Sequence, residues 1–556
     1  MRKKRKTIVI GIDGGSWNYI EPMMTAGKLP NLSFLAERGV RGVLHSTTPP
    51  FSPVAWSSFI TGKYPSKHGI FDWNARAEGG HRFRRLSSND RKATSFWRYL
   101  NNEGLKAGIA NIPLTYPAEE IDGFLISGID SPDGCPKKVY PPELNGWINE
   151  RYGAGMLNVP AFDLVKTREG RSDFCRDYRD HDNAVTEMYM ELIDRYGLSV
   201  FAANYMINDH FNHLMKEDAY IEEGLRIIDG NIGKFVAGHP DANFIIMSDH
   251  GSLRTVKTFY IIDWLKERKY LVFNEKKLRS LKLNSLLKKV LSKKTNLTGL
   301  GEKVLRNALV APLRMAPRGI LQTMTKMFGG EESIFYWPHL AIDHARSGIT
   351  YCSAGSLGIY LNVKPDHPLE MACGERDYDD IRHALIKELS SIKDPDTGRP
   401  LFKSIHKKEE LYSGQYSHKA PDLVLEFLSP YNIWTSGIVQ KTGENPFWDN
   451  DEVVYYGRHI NEGIFIFYGE DFDSACGVKE LNIVDIPAIV LHLNGVAIPN
   501  DFDGAVKKEL FRSSSPGFNA IRYQQEVKRA VNHGADDPDE SSDDAIRKKL
   551  SDLGYM

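Results

Sequence analysis

At 556 residues, with 41% hydrophobic and 26% charged residues, the chain exceeds a usual single domain and is not collagen-like, wholly disordered or a disulfide scaffold. Lys+Arg 71 against Asp+Glu 72 leave a formal net charge of -1, so no whole-molecule field selects nucleic acid or an acidic surface. One large α/β core with insertions, or two to three domains, is the expectation.

The basic start, Met1 to Lys6, is like that of an export signal. The apolar run that follows covers only Ile8 to Ile12 and ends at Asp13-Gly14-Gly15, which predicts a strand instead. No run of eighteen apolar residues predicts a transmembrane helix. Five cysteines (Cys135, Cys175, Cys352, Cys373 and Cys476) are scattered without a C-x-x-C pair, which suggests neither a zinc ribbon nor a disulfide framework and points to the cytoplasm.

In chain order, Thr7 to Gly14 is a β-branched apolar run ending in an acid and glycine, the way a buried parallel strand delivers a carboxylate to a sheet edge. The runs 108–112, 198–205 and 243–250 repeat it, and 31–38 and 184–196 between them read as helices. Strands alternating with helices predict right-handed crossovers and a doubly wound, mostly parallel α/β sheet. Ligands of such sheets bind beyond the carboxyl ends of the strands.

Between Lys266 and Lys326 stand sixteen Lys and Arg and three acids, interleaved with leucines at helical spacing. This predicts a basic helical insertion or cap over 266–345. Three roles are open to it: a solvated surface, a lid over an anionic substrate, or a segment lying on anionic lipid. Strand-like text resumes at Gly348 and continues through 356–362 and 420–426. The expected division is therefore a core of 1–265, the cap 266–345, a second core part 346–510, and a peripheral tail 511–556 with acids at 536–544 and a short closing helix.

Four clusters and one further histidine place metal-ligand chemistry beside strand ends. Asp13 closes the first strand. Ser52 sits between a Pro-rich turn and a helix starting near Pro53, where helix N–H groups favour an anion. Asp209 and His213, four apart, share a helix face and are able to hold one metal together. Ser248-Asp249-His250-Gly251 ends another strand, and His459 lies in a late Gly457 to Ile466 run.

The order of these groups resembles the alkaline phosphatase superfamily, and within it the type I phosphodiesterase/nucleotide pyrophosphatase branch. In that family a strand-end Asp precedes a Ser or Thr nucleophile ten residues before the Gly of T-G-x-x-P-x-x-H-G-I. Here Ser52 precedes Thr61-Gly62-Lys63-Tyr64-Pro65-Ser66-Lys67-His68-Gly69-Ile70 in that register, and Asp209/His213, Asp249/His250 and His459 follow in the same order. The resemblance covers roughly residues 7 to 510, with the basic insertion the poorest match. It implies that Asp209, His213 and His459 bind one divalent metal, and that Asp13, Asp249 and His250 with the oxygen of Ser52 bind the other. Mixed imidazole and carboxylate donors suit Zn, with Mn a substitute. It further implies a phosphohydrolase acting on a small phosphate ester or anhydride through a Ser52 phosphoryl-enzyme.

Two departures narrow this. Ala55 stands where nucleotide pyrophosphatases carry an Asn that donates to phosphate, so backbone N–H groups at the helix start are expected to take over and nucleotide specificity does not follow. Ser52-Pro53-Val54-Ala55-Trp56 also lacks the C/S-x-P-x-R pattern of sulfatases. Around the site, Trp56 is read as a stacking surface or core packing, His210 as a substrate or metal contact or a residue on another helix face, His68 as a structural residue, and Arg254 and Lys257 as substrate partners or solvated loop residues. The alternatives to a phosphodiesterase are a phosphomonoesterase or phosphomutase of the same superfamily, which needs a basic pocket, and a catalytically silent metal-binding scaffold docked through the basic insertion.

Overall fold

The computed structural model describes residues 5–77, 83–160, 168–278, 280–281, 341–353, 355–364, 367–372, 377–428, 430–435, 448–449, 456–527 and 546. Most of the basic insertion, the acidic run 536–544 and the closing helix lie outside them.

Nine strands form the central sheet, in the order Glu480–Asn482, Val40–His45, Glu462–Tyr468, Asn243–Met247, Thr7–Ile12, Val200–Tyr205, Ala107–Ile112, Gly123–Ser127 and Val139–Tyr140. The strand Thr7–Ile12 pairs in parallel with both neighbours, Thr7 opposite Val200 and Asn243. Glu462–Tyr468 runs antiparallel to both of its neighbours, so the sheet is mostly parallel, as expected. Helices cover both faces, and the two-residue period of the first strand shows why. Ile8, Ile10 and Ile12 pack with Leu32, Tyr178 and Leu225 from helices of one layer. Val9 turns the other way, toward Phe59, Trp97 and Ile489 of the opposite layer. Each of these buried aliphatic side chains contributes roughly 1.5–3 kcal/mol of transfer free energy.

Residues 349–427 do not continue this sheet. Ile349–Cys352, Gly358–Leu361, Leu423–Phe427 and Phe402–Lys407 form a separate four-stranded antiparallel sheet. The helix Tyr378–Ser390 packs on it within a core of its own that includes Ile359, Leu385 and Leu425. The expected single second core part is thus two pieces, because alternating apolar runs of an antiparallel module look locally like those of the main sheet. The tail is not peripheral either. Lys63 pairs with Glu526 at 2.7 Å, Tyr523–Gln524 adds a strand beside Ile498–Pro499, and Ile546 is buried against Phe51 and Trp73. No helix among the described residues is long and apolar enough to cross a membrane.

Candidate active site

Strand ends gather the site. The first strand ends at Ile12, so Asp13 emerges at the sheet's carboxyl edge, and Ser248, Asp249 and His250 follow the strand Asn243–Met247 beside it. Between Val200–Tyr205 and the helix Ile207–Leu214 the chain turns at Met206, which sets Asp209 and His213 on the first turns above the same edge. His459 arrives on the strand Gly457–Ile460, held antiparallel to Gly251–Arg254 with His459 opposite Ser252. Ser52 is the first residue of the helix Ser52–Thr61, every residue of which is buried.

The result is two triads, Asp209/His213/His459 and Asp13/Asp249/His250. In each, the ligand atoms lie within 4.8 Å of one another. The triads adjoin, the rings of His250 and His459 stacking at 3.7 Å between centroids. Ser52 Oγ stands 3.1 Å from His250 Nε2, on the side of the second triad.

The hydrogen bonds prepare these atoms for a cation. The Gly251 carbonyl lies 3.1 Å from His250 Nδ1, and the Pro50 carbonyl 3.1 Å from His459 Nδ1. A carbonyl only accepts, so Nδ1 carries the proton in each ring and the Nε2 lone pair faces the site. His250 Nε2 then meets Asp249 Oδ2 at 3.2 Å and Asp13 Oδ1 at 3.8 Å. Both of those carboxylate oxygens are buried without a hydrogen-bond donor. Three inward-facing acceptors with no donor between them fit a divalent cation and fit a dry pocket poorly. In the other triad, Asp209 Oδ2 is 3.4 Å from His213 Nε2, Asp209 Oδ1 is 3.5 Å from His459 Nε2, and the two Nε2 atoms are 2.9 Å apart.

Titration follows from this crowding. Burial, then the charge of Asp209, pushes the Asp13 carboxyl up to about 8. Burial, then Asp13 and Asp209, raises Asp249 well above the carboxylate range. For Asp209 burial works upward, but the charges of His213 and His459 outweigh it and hold its carboxyl well below the usual range. Burial, then the charge of His459, holds the His250 imidazole well below its ordinary value. Charge on the second triad therefore needs a cation opposite it.

The sequence-predicted surroundings sort differently. Trp56 stacks on no substrate face: its Nε1 donates to Asp13 Oδ2 at 3.0 Å from within the core, because the helix following Ser52 packs directly on the first strand. Arg254 Nε pairs with Asp218 at 2.7 Å and its Nη1 donates to the Asn212 and Met215 carbonyls, bracing the helix that carries Asp209. Lys257, on the short strand Lys257–Phe259 outside the central sheet, pairs with Asp394 and Asp396. Lys257 is committed to these two acids, whereas Arg254 keeps Nη2 without a hydrogen-bond partner. His210 Nδ1 bonds Tyr178 Oη at 2.6 Å, on a different face from the ligand pair. His68 accepts from the Ile70 N–H at 3.2 Å and meets Ser58 Oγ at 3.0 Å, so it shapes the loop behind the helix Ser52–Thr61. The N–H groups expected to hold phosphate oxygens are mostly spent: those of Val54 and Ala55 both reach the Phe51 carbonyl at 2.9 Å, and Pro53 has none. Of the first four helical residues this leaves Ser52's own N–H.

Several supports had no motif to announce them. Asn204 Nδ2 donates to Asp13 Oδ2 at 2.8 Å, Asn208 Nδ2 to the Asp13 carbonyl at 2.9 Å, and the Gly14 N–H to Asp249 Oδ1 at 3.2 Å. Two glycines make room for them. A Cβ on Gly11 would meet the Trp56 ring at 2.5 Å, and one on Gly14, where φ is +65°, would meet Asp209 Oδ1 at 2.8 Å.

The type I phosphodiesterase/nucleotide pyrophosphatase family model matches residues 7–308. The chain belongs to this family. With the family comes a metal-dependent hydrolase acting on phosphoric ester or anhydride bonds. A solved phosphonoacetate hydrolase from Sinorhizobium meliloti 1021, in complex with phosphonoacetate, is similar in fold: the TM-score is 0.50 at 13% identity over 87% of this chain and 94% of that one. Murine ectonucleotide pyrophosphatase/phosphodiesterase 5 matches with a TM-score of 0.49 at 13% identity, over 90% and 98% of the two chains. No curated protein matches the sequence.

Proposed function

We propose that this phosphoesterase is a two-metal phosphodiesterase that works through a phosphoryl-enzyme on Ser52. The observation carrying this reading is the pair of adjoining triads with Ser52 Oγ against the second. Asp209, His213 and His459 would hold one ion, and Asp13, Asp249 and His250 with Ser52 Oγ the other. The mixed nitrogen and oxygen donors favour Zn, with Mn as substitute. When bound, the ions supply positive charge that makes the hydroxyl and a water acidic and neutralises charge on the departing oxygen.

Ser52 Oγ forms a bond to phosphorus as the bond from phosphorus to the leaving oxygen breaks, in line and on the opposite side. The serine proton passes to water, and the leaving oxygen departs with its electron pair and takes up a proton. Water then attacks phosphorus, the phosphorus to Oγ bond breaks, and the hydroxyl regains a proton. Asn204 and Trp56 hold Asp13 in place by donating to its second oxygen, which orients the ligand throughout.

A diester is favoured over a monoester by charge. Among the described residues the groups around Ser52 are carboxylates and imidazoles, with Ala55 one turn on, and a doubly charged phosphoryl group would want a guanidinium or ammonium there. The scattered cysteines support a cytoplasmic location.

The test is hydrolysis of bis(p-nitrophenyl) phosphate and p-nitrophenyl phosphate by Zn- or Mn-loaded protein, beside Ser52→Ala. Faster turnover of the diester, falling by about 10⁴-fold or more in the variant, is the expected result. Preference for the monoester would replace the diesterase by a phosphatase or mutase. Metal-dependent turnover that survives Ser52→Ala would remove the covalent route.

A further inference from the structure

A cavity of about 530 Å³ opens beside the site, between the main sheet and the four-stranded module. His213 and His459 border it, whereas Ser52, Asp13, Asp249 and His250 do not. It therefore lies on the side of the first triad, away from the nucleophile. An in-line displacement sends the leaving oxygen to the side opposite the attacking one, so the group attached to that oxygen enters this cavity.

Its walls are largely apolar, with Phe51, Leu357, Phe427, Ile433 and Trp434 among them, and one cation of the wall, Arg458, stands apart. Arg458 Nη1 donates to the Tyr431 carbonyl at 3.1 Å and the guanidinium carbon lies 5.7 Å from the Phe427 ring centroid. Its Nε is buried without a hydrogen-bond partner. No carboxylate among the described residues forms an ion pair with it, whereas the cations Arg91, Lys257 and Arg382 each meet one. Of the wall's carboxylates, Glu426 pairs with Lys403 at 2.6 Å and Glu462 is exposed to solvent; both act on Arg458 by charge without forming an ion pair with it. Arg458 is partly buried with one N–H unmatched, and an anion beside such a guanidinium is held by a charge-assisted hydrogen bond.

We propose that this cavity is the leaving-group site, and that Arg458 holds an anionic substituent, a carboxylate or phosphate, on an apolar leaving group. The proposal rests on the diesterase reading above and adds the substrate class. Successive side chains of a strand point to opposite faces, so Arg458 stands across the strand from His459.

The test uses methyl aryl phosphodiesters in acid and amide pairs of one size, at two spacer lengths: 4-carboxyphenyl against 4-carbamoylphenyl, and 4-(2-carboxyethyl)phenyl against 4-(2-carbamoylethyl)phenyl. Binding of the corresponding phenols is measured by calorimetry alongside. At one spacer length or both, the wild type should prefer the acid by roughly tenfold to hundredfold in kcat/KM, the range a charged hydrogen-bonded pair supplies. Arg458→Gln should bring the ratio to about 1 and abolish the difference in phenol affinity, and Arg458→Lys should keep part of both.

A wild-type ratio near 1 at both lengths would overturn the proposal while leaving the diesterase reading intact. So would an equal loss on acid and amide in Arg458→Gln, which would make Arg458 a positioning residue for its neighbour His459. Absence of turnover on all four diesters, with bis(p-nitrophenyl) phosphate also inert, would instead overturn the diesterase reading and the proposal with it.

Discussion

The two triads differ in how they meet the rest of the molecule. Asp13, Asp249 and His250 are fully buried, and Asp13 and Asp249 are braced by backbone and side-chain donors from the strands beneath. His213 and His459 border the cavity while Asp209 is buried beneath them, the His459 side chain is 12% exposed, and the strand that bears it reaches the site from beyond the second module. The sealed triad lies on the side of Ser52 and the open one on the side of the cavity. Burial that would be a stability defect in a metal-free protein would be offset by a cation, which would keep the carboxylates charged.

Removing a ligand from each triad should break the symmetry most visibly. Asp249→Asn and His459→Ala should each cost more than about a hundredfold in turnover and one equivalent of metal, since supporting residues alone cost up to that much. Their metal-free melting temperatures should part. Asp249→Asn removes a buried carboxylate crowded by Asp13 and Asp209, so its apo form should melt above wild-type apo protein, whereas His459→Ala should not. Equal shifts in differential scanning calorimetry would contradict the contrast.

A smaller effect is expected one step out. Trp56→Phe keeps the packing but deletes the donor to Asp13 Oδ2. Affinity at the sealed triad should fall by roughly ten- to a hundredfold with the open triad unchanged, seen in a competitive chelator titration as one weakened site of two. Two equally weakened sites would mean that the triads are coupled rather than separately built.

The smallest effect lies behind the sealed side. Burial, helped by the charges of Arg91 and Lys63, lowers the His68 pKa from 6.5 to about 3. Between those values the unfolded chain takes up a proton that the folded ring refuses, so stability from this residue is complete above about pH 6.5 and drains away as pH falls toward 3. Urea melts of wild type and His68→Gln should differ by about 2 kcal/mol less at pH 5 than at pH 7.5. A difference independent of pH would mean that the folded His68 ring titrates at the same pH as in the unfolded chain.

What the sequence made legible divides along the same line. Asp13, Asp249 and His250 were readable because a strand end is a local feature, an apolar run stopped by an acid and glycine. Asp209 and His213 were readable because four residues make a helical turn. The bracing was not, since Asn204 and Trp56 come to Asp13 only through the pairing of Thr7–Ile12 with Val200–Tyr205 and the packing of a helix across Gly11. Arg254 and Lys257 looked like substrate partners for the same reason, their carboxylate and carbonyl acceptors being distant in the chain. The cavity was invisible because its walls come from many short stretches scattered between Thr48 and Glu462.

Metal content bears most directly on the central claim of two triads built as separate metal sites. Elemental analysis of Zn-reconstituted wild type, Asp249→Asn and His459→Ala, each exhaustively dialysed, should give two, one and one equivalents per chain. One equivalent in the wild type, or two in either variant, would contradict it.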